Sequence, residues 1–119
     1  MNWYLSKIIY RIHCGDEKNS GQFDEQLRII FATSKEEAFH KAQSIGQQEE
    51  EIFINQQQKL VHWQFINVCE LYKISELIDG AEIYSRIEEY DNADAYIDVI
   101  NKKARNILSS NTLEILDLV

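Results

Sequence analysis

No proline occurs anywhere in this chain of 119 residues, and only four glycines and two cysteines do. Without proline, every strand-like segment keeps all of its backbone donors for a ladder, so no strand is interrupted. Cys14 and Cys69 are too few for a disulfide scaffold, and a chain of this length buries a core without a staple. Both are expected as reduced thiols. Wholly apolar runs extend over only a few residues, which argues against a membrane partner. The opening Met1-Asn2-Trp3-Tyr4-Leu5-Ser6-Lys7 shows no basic stretch followed by an apolar one, so a cytoplasmic address is the expectation.

Basic residues are scarce as well: 12 lysines and arginines stand against 20 aspartates and glutamates, a formal net charge of -8. That field repels nucleic-acid phosphates and anionic surfaces, so no nucleic acid is expected as a partner and a basic or neutral protein is favoured. Catalytic signatures are missing too. His13, Cys14, His62 and Cys69 are zinc-ligand types, but no C-x-x-C or H-x-x-x-H pair sets two of them on one element, so neither metal nor cofactor is expected. His13 and Cys14 are strand neighbours that point to opposite faces, which parts a nucleophile from its base. Ser85 lies in no G-x-S-x-G context. His62 is expected on the polar face of its strand, and Cys69 as a small buried side chain.

What is present is periodicity. With 45% hydrophobic and 27% charged residues the chain has the composition of a folded domain, not of a disordered one. Over Trp3 to His13, Tyr4, Ile8, Tyr10 and Ile12 alternate with Lys7, Arg11 and His13, as in a half-buried strand. A polar loop with Gly15 and Gly21 leads to a second strand, in which Phe23, Leu27, Ile29 and Phe31 alternate with Asp24, Gln26 and Arg28. Ser34 and Glu37 form a capping box, Ala38, Ala42 and Ile45 recur at helical spacing with Phe39 beside them, and Gly46 is the expected stop. The alanines imply close packing on a sheet.

Ile52-Phe53-Ile54 predicts a short strand, Gln56 to Lys59 a turn, and Leu60 to Ile74 a long strand whose apolar parity shifts at Ile66 and Val68, as at a bulge. Asp79-Gly80 is a turn dipeptide, after which Ala81, Ile83, Ser85 and Ile87 alternate like a fifth strand. From Asp91 or Asn92 a helical stripe runs through Ala93, Tyr96, Ile97, Ile100, Ala104 and Ile107, with Asp94 and Asp98 early and Lys102, Lys103 and Arg105 late, which suits the helix dipole. The expectation is a single α+β domain over 1–119, in the order ββαβββα. It has an antiparallel sheet of about five strands and two helices packed on one face, with residues 1–106 as its core and 107–119 as an apolar tail.

The same alternation assembles a polar sheet face from Lys7 and Arg11, Asp24 and Arg28, His62 and Gln64, and Glu82, Arg86 and Glu88. Mixed charges in register are ordinary cross-strand pairs. The alternative is a ligand or partner site, with Arg86 as the planar fork that holds a carboxylate or phosphate and Glu82, His62, Lys7, Arg11 and Arg28 around it. Trp3, Tyr4, Trp63, Phe65 and Tyr72 are expected to serve the core, and Glu49-Glu50-Glu51 to be a solvated connector. Because Trp3, Leu5 and Ile9 sit among the charges of the uncovered face, the reading is a non-enzymatic interaction or small-ligand-binding module acting as a homodimer. Two other classes stay open. One is an acidic, antitoxin-like or immunity-like inhibitor of a basic partner protein; the other is a small enzyme on an anionic metabolite, with Arg86 as clamp and Glu82 or His62 as acid or base.

Several short patterns in their order also carry a resemblance: Trp3-Tyr4-Leu5-x-Lys7-Ile8, Phe23-Asp24-Glu25-Gln26, Glu36-Glu37-Ala38 with Lys41-Ala42 and Gly46, Trp63-x-Phe65-x-Asn67-Val68, and Gly80-x-Glu82-x-x-Ser85-Arg86. Over roughly residues 2 to 104 the chain resembles the bacterial domain of unknown function 4288. The resemblance implies a small bacterial intracellular protein and brings no catalytic residue with it.

Overall fold

The computed structural model describes residues 1–15 and 21–109. The chain divides into two compact units, Met1–Ser85 and Arg86–Val119. In the first unit, strands β1 (Asn2–Cys14) and β2 (Phe23–Ala32) are followed by helix α1 (Lys35–Gln48), then strands β3 (Glu51–Ile54) and β4 (Leu60–Ile74). The four strands form one sheet in the order β2-β1-β4-β3, antiparallel throughout.

The central pair sets the register. β1 runs against β2 without a shift, from Asn2 opposite Ala32 to Arg11 opposite Phe23. Against β4 its register shifts twice, between Lys7 and Ile8 and between Ile9 and Tyr10, which leaves Cys69 and Ile66 of β4 without a facing residue. These are the bulges that the parity change announced. An extra residue at a bulge is pushed out of the pleat; Ile66 is 44% exposed and Cys69 is exposed, not buried as expected.

α1 covers one face. Tyr4, Ile8, Tyr10, Ile30, Ala32, Ala38, Ala42 and Val68 make the core, with Phe39, Ile45, Trp63, Phe65 and Leu71 packed around it. Ala38 and Ala42 are wholly buried, so the helix backbone lies close to the sheet. Gly46 does not stop the helix; it is buried within α1, where a Cβ would run into the Phe65 ring. Its carbonyl accepts the Tyr10 hydroxyl at 2.7 Å, a buried pairing for both groups. At the other end, Ser34 Oγ accepts from the Glu37 backbone N–H at 3.1 Å. The capping box is only half closed, because the Glu37 carboxylate turns to the Thr33 hydroxyl and N–H instead of to Ser34. That bond holds the Glu37 carboxyl below its usual range.

The expected fifth strand is absent from the described residues: after the turn at Gly80, which takes a left-handed φ of 82°, residues 81–90 pair with no strand. Tyr84 instead packs edge-on against Tyr72, ring centres 5.6 Å apart, so it lies against the sheet without lengthening it. Alternation describes an extended chain of either kind, which explains the mismatch.

In the second unit, helix α2 (Ala93–Ser109) begins at Asn92, whose Oδ1 accepts from the Ala95 N–H at 3.0 Å. Tyr96 stacks on Tyr90 with centres 4.1 Å apart. No residue of α2 is buried, its apolar stripe included. Of the two helices expected on one sheet face, α1 takes that place. Most of the tail 107–119 lies outside the described residues. No helix among those described is long and apolar enough to cross a membrane.

Candidate functional site

The strand pleat sends alternate side chains to opposite faces, and the register divides them. Tyr4, Ile8, Tyr10, Asp24, Gln26, Arg28, Ile30 and Trp63 share the face under α1. Trp3, Leu5, Lys7, Ile9, Arg11, Phe23, Glu25, Leu27, Ile29, Phe31, His62, Gln64, Glu70 and Tyr72 share the other. Asp24 and Arg28 therefore do not join Lys7, Arg11 and His62 on one polar face, as the sequence led us to expect. β2 presents Asp24, Gln26 and Arg28 toward the helix layer, and on the side away from it Glu25 among Phe23, Leu27, Ile29 and Phe31.

That second face has two parts. Leu5 and Ile74 on it are 3% and 4% exposed, Leu5 standing opposite Tyr72, on which Tyr84 packs. Toward β2 it is open: Phe23 is 53%, Leu27 58%, Ile29 48% and Phe31 37% exposed. Trp3 leans on Phe31 with ring centres 4.6 Å apart, which continues the apolar surface onto β1. Leu27, Ile29 and Phe31 make a contiguous patch, not scattered surface residues, with Glu25 between them and Phe23.

The candidate cations are placed as follows. Lys7 Nζ lies 2.7 Å from Glu70 and 3.8 Å from Glu25, and Glu70 also accepts the Tyr72 hydroxyl at 2.6 Å. The hydrogen bond that Lys7 donates to Glu70, reinforced by the charges of Glu25 and Glu70, holds the Lys7 ammonium above its usual range. Arg28 pairs with Glu49, and its Nη2 donates to Gln26 at 2.7 Å. Arg11 stands opposite Gln64. His62 Nε2 is 3.0 Å from Glu50, and its ring is 5.7 Å from that of His13. Glu82 is exposed in the segment after Gly80. Arg86 belongs to the second unit, with its Nε 2.9 Å from Glu88. Lys7, Arg28 and Arg86 thus each have a carboxylate of this chain at hand, the arrangement of structural pairs more than of an anion clamp.

On the helix side, a cleft of about 410 Å³ opens past the C-terminal end of α1, between Tyr10, Trp63, Gln26 and the run Glu49 to Glu51. Burial first, then the Glu49 charge, push the Tyr10 phenol above its ordinary range, with Arg28 opposing. The run expected as a plain connector therefore borders a concave, aromatic, acidic surface. Among the described residues no group of three or more histidines, cysteines or acids is placed to hold a metal ion.

The alternation of β2 is plain in its sequence, but not which of its two sides stays open. The signal lies in Ile30 and Ala32: they share parity with Asp24 and Arg28, and Ala32 is separated only by Thr33 and Ser34 from the helix whose alanines demand a close sheet.

The model of a protein family described as Domain of unknown function (DUF4288) matches residues 3–85. No curated protein and no solved structure matches the chain.

Proposed function

The chain belongs to the family of the Domain of unknown function (DUF4288), and on that premise we propose that it is a non-enzymatic interaction module that acts as a homodimer. The observation that carries this reading is the exposed apolar row Phe23, Leu27, Ile29 and Phe31 on the face opposite α1. Its exposure costs about 25 cal/mol for each Å² left in water, and a second copy offers the same row for mutual burial. The pairing of Lys7, Arg28 and Arg86 with carboxylates of the same chain weighs against the small-anion and enzyme alternatives.

Sedimentation velocity over a concentration series tests the proposal. Wild type is expected to shift from monomer to dimer as concentration rises, and Leu27→Lys to stay monomeric with its melting temperature at low concentration nearly unchanged. A wild-type monomer at every concentration would overturn the proposal. A monomer that Leu27→Lys destabilises strongly would show, in addition, that the row is covered within one chain.

A second reading, capture of a basic partner protein, has the acidic, aromatic cleft and the net charge in its favour. A lysine-rich peptide that binds wild type, and binds more weakly both at higher salt and with Glu51→Gln, would support it. Binding indifferent to both would remove it.

A further inference from the structure

Resting on the homodimer reading, we propose that two copies join edge to edge along β2, antiparallel about a two-fold axis at Gln26, so that one continuous sheet runs through the dimer.

The two margins of the sheet are unlike. β3, at one margin, has only four residues, the short edge by which sheets avoid unwanted pairing. β2, at the other, has ten residues in unbroken register with β1. It has no proline, no bulge and no left-handed residue, and what guards it is charge alone, Asp24, Glu25 and Arg28. In an antiparallel pair, alternate residues direct N–H and C=O away from their partner. Along β2 those groups meet no further strand among the described residues. A side chain caps one of them near the end of the strand, where Lys41 Nζ donates to the Phe31 carbonyl at 2.8 Å. Residues 23–29 keep an edge in unbroken register with β1.

The side chains select the occupant and the register. On the helix side of β2, Gln26 Nε2 donates to Asp24 at 2.6 Å, and Arg28 Nη2 donates to Gln26 at 2.7 Å. The ladder runs from an anion through an amide to a cation. A two-fold axis at Gln26 turns it onto itself with charges opposed: Asp24 of each copy faces Arg28 of the other, and the two Gln26 amides meet. Such a patch is complementary to its own copy, as an isologous contact requires. On the other face the same axis sets Phe23 opposite Ile29 and Glu25 opposite Leu27, so the apolar rows of the two copies meet with a Glu25 carboxylate beside each Leu27. Moving the axis to Leu27 would put Asp24 opposite Ile30 and leave both charges unanswered. A slip by one residue would mix the two faces.

Charge exchange tests this. Asp24→Arg and Arg28→Asp are each expected to weaken self-association at least tenfold in sedimentation velocity. An equimolar mixture of the two variants is expected to recover a dimer, identified as the heterodimer by native mass spectrometry. Arg28→Asp also loses the pair with Glu49, and recovery in the mixture separates that loss from the interface effect. If both variants dimerise as tightly as wild type while Leu27→Lys does not, the homodimer stands and the edge pairing falls. If the mixture stays monomeric, the axis at Gln26 is wrong. If wild type itself is monomeric, both proposals fall together.

Discussion

The two faces of the sheet are built from the same strands and nearly the same amino acids, yet one is a core and the other a surface. Under α1, Ala38, Ala42 and Gly46 keep the helix thin, so that Ile8, Tyr10 and Ile30 are almost wholly excluded from water. On the opposite side, side chains just as apolar remain in water along β2, while Leu5, opposite Tyr72, is buried. Hydrophobicity alone did not choose the core face; close approach did. A face becomes interior where small residues let a second layer reach it, and a face without that layer is left for a partner.

The largest effects should separate the faces. Ile8→Ala, at a fully buried site, is expected to cost about 2–5 kcal/mol in a denaturant titration, whereas Ile29→Ala in the monomer should cost under ~1 kcal/mol. Equal losses would erase the distinction between core and surface.

Next comes the helix contact. Gly46→Ala is expected to destabilise by about 1–3 kcal/mol because the added methyl meets the Phe65 ring, despite the better helix propensity of alanine. A Phe65→Leu background should relieve part of this cost. Additive losses in the double variant would show that Phe65 is not what Gly46 accommodates.

A smaller effect is expected of Tyr10→Phe, about 1 kcal/mol, from the lost bond to the Gly46 carbonyl. Burial and Glu49 raise the phenol's pKa, so the fold favours the neutral form. Its contribution is complete below the ordinary tyrosine range and is lost as pH rises through the raised value. Wild type should therefore lose more stability than Tyr10→Phe on passing into strongly alkaline solution. Parallel alkaline profiles would remove Tyr10 from the account. The smallest effect should be that of Leu27→Ser on the isolated monomer, within about 0.5 kcal/mol. The same change should abolish any rise of melting temperature with protein concentration.

Much of this fold was legible because the signals are local. Asp79-Gly80 marks its turn, Asn92 opens α2, and the strands 60–74 and 52–54 lie where alternation put them; the parity change at Ile66 and Val68 became two bulges. What escaped depends on layers. Whether Ala81 to Ile87 pairs with a strand or not is not written in its alternation, and neither is the side of the sheet that the Phe23 to Phe31 row occupies. Gly46 misled for a similar reason: its value lies in the Phe65 ring across the interface, not in its own backbone. Of the candidate site residues, Lys7, Arg11 and His62 do share a face, while Arg28 lies on the other side, because β2 turns Asp24, Gln26 and Arg28 toward the helix layer.

The central claim is that the margin and open face of β2 form the surface where two copies meet, and amide hydrogen exchange at low and high protein concentration tests it most directly. The account predicts that protection rises with concentration in peptides covering residues 23–31 and stays unchanged across α1. Exchange in residues 23–31 that is fast and indifferent to concentration, or a concentration-dependent rise centred on α1, would contradict it.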